Sequence, residues 1–137
     1  MKNFLLYTFV ISSLLLGVAG KCKKTPPAPA EANLAVTLNP PANSVQSASP
    51  QTDFPLTVTI TSTMPPQGVT IDVSAKKDDG SGAAAFFTTT QSSSTSVNNF
   101  TITNTPASVV CLTTVTVTSK TKSTNKFTGT YRYSRKP

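Results

Sequence analysis

The chain has no histidine and no tryptophan, and only five acidic residues among its 137: Glu31, Asp53, Asp72, Asp78 and Asp79. Without histidine there is no side chain whose ordinary pKa lies near neutrality and no imidazole for a metal. The carboxylates are scattered over a Pro-rich stretch, turns and strand faces, so they suggest no acid/base dyad, triad or zinc site. The expectation is a protein that is not an enzyme, with no cofactor and no bound metal. Beyond residue 32 no stretch repeats apolar residues at i, i+3 and i+4 over a helical length, which excludes a helical domain. Charged residues are only 12% of the chain. Polarity comes instead from Ser and from 24 Thr, and Thr is β-branched and suits a pleated surface with one wet face.

What is present begins at the N-terminus. Lys2 precedes an apolar run from Phe4 to Leu16, followed by the small residues Gly17-Val18-Ala19-Gly20. A charged start, an apolar centre and a small-residue end make residues 1–21 a signal peptide. The run from Phe4 to Ala19 is shorter than the ~20 residues a membrane-spanning helix needs.

Next comes Lys21-Cys22-Lys23-Lys24-Thr25-Pro26-Pro27. This segment resembles the signal of bacterial lipoproteins, in which a Cys becomes the lipidated first residue, and Cys-Lys-Lys before a Pro/Ala stretch is similar to lipoproteins of the Bacteroidota. The resemblance covers about twenty-five residues and implies lipidation at Cys22, with Lys23 and Lys24 facing anionic headgroups. Lys21 stands where that family usually has Gly, Ala or Ser. The alternative is ordinary cleavage after Ala19 or Gly20, which would release a soluble periplasmic or secreted protein. Residues 22–32 read as a tether, since Pro26, Pro27 and Pro29 fix φ and remove backbone donors.

Residues 33–137 have the length of one small domain. Phe54-Pro55-Leu56-Thr57-Val58-Thr59-Ile60-Thr61 alternates apolar and Thr residues with period two, the pattern of a half-buried strand. Val69 to Ala75 repeats it and runs into Lys76-Lys77-Asp78-Asp79-Gly80-Ser81-Gly82, whose Asp-Gly supplies a positive φ for a turn. Ala83 to Thr89 is expected to return antiparallel. Further strands are expected at Asn33–Leu38, Phe100–Thr103, Val109–Ser119 and Lys126–Ser134, with Ser92–Ser96 a loop. About seven short strands at regular spacing predict an all-β antiparallel sandwich.

In the last two strands Val109, Cys111, Val115 and Val117 share one face, and Phe127, Tyr131 and Tyr133 share another. This pattern resembles the final hairpin of immunoglobulin-like and fibronectin-type modules of bacterial surface proteins, and it implies an immunoglobulin-like sandwich. Cys111 falls where an immunoglobulin domain places its second bridging Cys, but Val58 and Ile60 occupy the earlier strand. No disulfide is expected inside the domain, and Cys111 reads as a small buried hydrophobe. A bridge to Cys22 is the minor alternative.

The formal charge is +7; losing Lys2 and Lys21 leaves ten basic and five acidic residues, or +5. Spread over Lys23–Lys24, Lys76–Lys77, Lys120–Lys122–Lys126 and Arg132–Arg135–Lys136, this charge favours anionic surfaces without naming one. Asp78 to Gly82 has the carboxylates of a calcium loop but reads as a hairpin turn. Asn99-Phe100-Thr101 fits the N-glycosylation pattern, which means little in a bacterial chain. Nucleic-acid binding is not expected, because no aromatic platform interleaves with the basic residues. The expected partners are a membrane, through lipidated Cys22, and an unidentified protein or glycan. The sequence reads as a cell-envelope lipoprotein acting as a binding or adhesion module, or alternatively as a structural accessory subunit of a larger envelope complex.

Overall fold

The computed structural model describes residues 29–137. They form seven strands and no helix: β1 (Val36–Asn39), β2 (Phe54–Ile60), β3 (Val69–Lys77), β4 (Phe87–Ser93), β5 (Val97–Ile102), β6 (Val110–Ser119) and β7 (Lys126–Ser134). All neighbouring strands within the sheets are antiparallel. One sheet has the order β1-β2-β5 and the other β4-β3-β6-β7. The fold is the expected all-β antiparallel sandwich, with the fourth strand on the larger sheet.

Period-two patterning builds the core. Leu56, Val58 and Ile60 of β2, with Phe100 and Ile102 of β5, face Val69, Ile71, Val73 and Ala75 of β3 and Cys111, Val115 and Val117 of β6. Each fully buried Leu, Ile or Val among them contributes roughly 1.5–3 kcal/mol over exposure. The intervening positions form the wet face of the larger sheet, where Thr70, Thr114, Thr116, Thr118 and Thr130 lie half-buried. The two sets of the final hairpin, read from the sequence as one face and another, lie on the same inner face: Cys111 opposes Tyr133, Thr113 opposes Tyr131 and Val117 opposes Phe127.

Pro55 lies inside β2 without breaking a ladder. The bond from Thr61 N–H to Ala35 O puts the odd residues of β2 toward β1, and β1 ends at Asn39, opposite Thr57. The missing donor of Pro55 therefore points past the end of its neighbour.

Several strand limits differ from the sequence reading, most of all in β1, β4 and β5. β1 starts at Val36, not Asn33, because Leu34 N–H donates to the Asn125 side chain (2.8 Å) and not to a ladder. The return strand after the Asp-Gly turn starts at Phe87, not Ala83: Gly80 and Gly82 do have positive φ (74° and 68°), but Ala83–Ala85 are exposed and offer the core nothing, so pairing begins at the first large apolar residues. There Phe86 N–H donates to Ala75 O (3.0 Å) while Phe87 is the residue opposite Ala75, a bulge that closes the strand end. Ser92 and Ser93 belong to β4, paired with Thr70 and Val69, and the loop shrinks to residues 94–96. β5 begins earlier than expected, at Val97.

The segment after β1 leaves the smaller sheet and runs parallel along the outer edge of β7. Asn43 N–H donates to Thr130 O (2.6 Å), Arg132 N–H to Ser44 O (2.9 Å), Gln46 N–H to Arg132 O (2.8 Å) and Ser49 N–H to Ser134 O (3.1 Å). It covers an edge that would otherwise lie open.

Candidate binding surface

The register fixes two ends. The proximal end gathers the start of β1, the start of β3 and the β6–β7 bend; the distal end gathers the 78–86 loop, residues 103–109 and the C-terminus. The chain comes in at the proximal end, where Asn125 holds it. The Asn125 Nδ2 group donates to Glu31 Oε1 (2.5 Å) and to Ala32 O (2.9 Å), and its Oδ1 accepts from Leu34 N–H. Asn125 is itself fixed by the bend: its N–H donates to Lys122 O (2.9 Å) and its carbonyl accepts from Ser119 N–H (3.0 Å). Glu31 and Ala32, assigned to the tether by composition, are thus tied to the domain.

Charge is partitioned by the fold. Lys120, Lys122 and Lys126 surround the bend that holds Glu31, whereas Lys76, Lys77, Arg132, Arg135 and Lys136 lie toward the distal end. Between Gly80 and Ser119 there is no charged residue.

The carboxylates of the suspected calcium loop have protein partners. Asp78 Oδ2 accepts from Arg132 Nε at 2.6 Å, an exposed pair worth at most about 1 kcal/mol. Asp79 Oδ1 accepts from the Ser81 hydroxyl (2.5 Å) and Ser81 N–H (3.0 Å), and these bonds hold its carboxyl below the usual range. The loop is a turn that satisfies itself, and no cluster of three metal-ligating side chains occurs among the described residues.

Clefts open on the surface of the described residues. One of about 200 Å³ lies beside the crossover, lined by Gln46, Ser49, Gln51, Phe54, Tyr131 and Tyr133. A second, about 340 Å³, lies between Ala48, Val109, Val110 and Arg135 at the distal end, and a third, about 380 Å³, between Pro29, Glu31, Met64 and Pro66 at the proximal end. None gathers a nucleophile with a base. Tyr133 and Thr105 share a buried hydrogen bond (3.1 Å) behind the first cleft. Burial pushes the Cys111 thiol and the Tyr131 and Tyr133 phenols up, away from ionisation. Cys111 is fully buried, as expected of a small hydrophobe, and has no cysteine partner among the described residues. Cys22, the one residue singled out for modification, lies outside the described residues.

On one flank the edges of both sheets lie side by side. β4 ends the larger sheet and β5 the smaller, joined by residues 94–96. Val97, 52% exposed, sits at this junction, and Asn99 of β5 is occupied by the Thr57 hydroxyl (2.9 Å). The opposite flank is closed, by the crossover on β7 and by the shortness of β1. Sequence reading missed both features, since backbone groups at an edge leave no side-chain signature.

No protein-family model, no curated protein and no solved structure matches the chain.

Proposed function

We propose that this protein is a non-enzymatic lipoprotein of a bacterial cell envelope, anchored through Cys22 and presenting its sandwich as a binding module. The observation that carries the reading is the placement of Lys120, Lys122 and Lys126 around the point where the chain comes in. A chain anchored nine residues before Glu31 can stand off by at most about 30 Å. The proximal lysines would then face the anionic headgroups that Lys23 and Lys24 meet first, adding up to about 1 kcal/mol each near the surface. Lipid supplies the main term, about 0.8 kcal/mol per buried CH₂, with more than one chain needed for a stable hold. The clefts near residues 46–54 and 109–136 and the 78–86 loop remain away from the membrane, free to meet a protein or a glycan.

The test is the mass of the protein's N-terminal peptide, taken from the membrane fraction of its native host, together with the fractionation of Cys22→Ser. Acylated Cys22, and a Cys22→Ser chain lost from the membrane fraction, are expected. An unmodified start at Gly20 or Lys21 would overturn the anchor and leave a secreted or periplasmic domain.

A further inference from the structure

We infer that β4 is a self-pairing edge, through which two copies of the chain join their larger sheets into one continuous eight-stranded sheet. Lys120 N–H donates to Gly68 O and Asp78 N–H to Val110 O, so the even residues of β3 bond β6 and its odd residues bond β4. In the β3–β4 register those odd residues meet Phe87, Thr89, Gln91 and Ser93. The N–H and C=O groups of Thr88, Thr90 and Ser92 therefore point outward, with no strand beside them among the described residues.

Such an edge is usually guarded by Lys, Pro, a bulge in mid-strand or a covering segment. β7 is covered and β1 has four residues. β5 turns Asn98 inward, and its Val97 carbonyl accepts the Thr95 hydroxyl (3.2 Å). β4 reads Phe-Thr-Thr-Thr-Gln-Ser-Ser, with no charge and no proline, and its bulge lies only at its first residue.

A second copy fits this edge better than an unrelated strand because of where its midpoint falls. The centre of Phe87–Ser93 is Thr90, one of the outward-pointing residues. A two-fold axis through Thr90 aligns the whole strand with its mate and sets Thr90 opposite Thr90, and Thr88 opposite Ser92, in hydrogen-bonding pairs. For β5, Val97–Ile102, the midpoint falls between Asn99 and Phe100, where whole-strand pairing is out of register. Neutrality also removes the repulsion that like charges on a two-fold axis would create. The edge is short, so the complex belongs to the weak end of specific association.

Cross-linking of the host-processed protein reads the register directly. Cα atoms of a hydrogen-bonded antiparallel pair lie about 5.5 Å apart, inside disulfide range, whereas Thr88 and its own symmetry mate would lie four residues out of step. Thr90→Cys should form a covalent dimer on mild oxidation, Thr88→Cys should not, and Thr88→Cys with Ser92→Cys should. Thr90→Lys should shift the species seen by sedimentation from dimer to monomer while leaving the melting temperature of the monomer unchanged within a few degrees. Equal cross-linking of Thr88→Cys and Thr90→Cys would mean random collision and overturn the register. A wild-type chain that sediments as a monomer at about 100 µM, or carries another polypeptide along β4, would overturn self-pairing.

Discussion

Asn125 spends one side chain on three tasks: it accepts from Leu34 N–H and donates to Glu31 and to the Ala32 carbonyl. It is buried, so truncation leaves these groups short of partners where water reaches them poorly. Asn125→Ala should cost about 1–3 kcal/mol in denaturant-induced unfolding. The N-terminal segment should also detach first, visible as faster amide exchange at Leu34. Asn125→Asp should lose nearly as much, because it keeps the acceptor for Leu34 but turns an oxygen toward the Glu31 carboxylate. Nothing in the Ser-Thr-Asn-Lys stretch marks Asn125 as more than a turn residue. Its partners lie more than ninety residues away in sequence, and such pairings exist only once the fold is made.

Among the elements, the strands with strict alternation were legible: β2 and β3 from Val, Ile and Leu at every second position, although β3 runs on to Lys77 past the expected Ala75, and β7 with both its limits at Lys126 and Ser134. The crossover was not legible, because its parallel bonds to β7 use backbone groups of Asn43, Ser44, Gln46 and Ser49 that any side chain could supply. β4 was legible only in part, since its Ser-rich end looks like loop and is held as strand by Val69 and Thr70 across the ladder. One turn depends on a single residue. Gly68 closes the link into β3 with its N–H on Pro65 O (2.8 Å), at φ 76°, and a Cβ there would strike the Ser93 carbonyl oxygen. Gly68→Ala should therefore destabilise by at least about 2 kcal/mol, read as a lowered denaturation midpoint, because both the left-handed backbone and the collision act against it. An unchanged midpoint would show that β4 yields easily at its end.

For the whole molecule, the absence of histidine governs the response to pH. No side chain has an ordinary pKa between those of the carboxylates and the thiol, so stability should be flat from about pH 5 to 8. Asp79, held below its usual range in the fold, contributes above the free Asp value and loses that contribution as pH falls through its lowered pKa. Cys111, Tyr131 and Tyr133 keep their protons to higher pH folded than unfolded. Unfolding then releases protons once pH passes the free thiol and phenol values, about 8.5 and 10, and stability should fall from there upward. Melting temperatures from pH 4 to 11 measure this, and a sharp change between pH 6 and 7 would contradict it. The sandwich and its core follow from alternation and composition alone, whereas its open flank depends on which strand each edge happens to lack. The crossover has a mechanical consequence as well. Because residues 43–49 run parallel to β7, tension applied between the start of the chain and its C-terminus pulls the two segments in opposite directions along their shared seam. The hydrogen bonds from Asn43, Gln46 and Ser49 are then loaded sideways and together, in shear, so the domain resists stretching as a glued lap joint does and cannot be peeled one bond at a time.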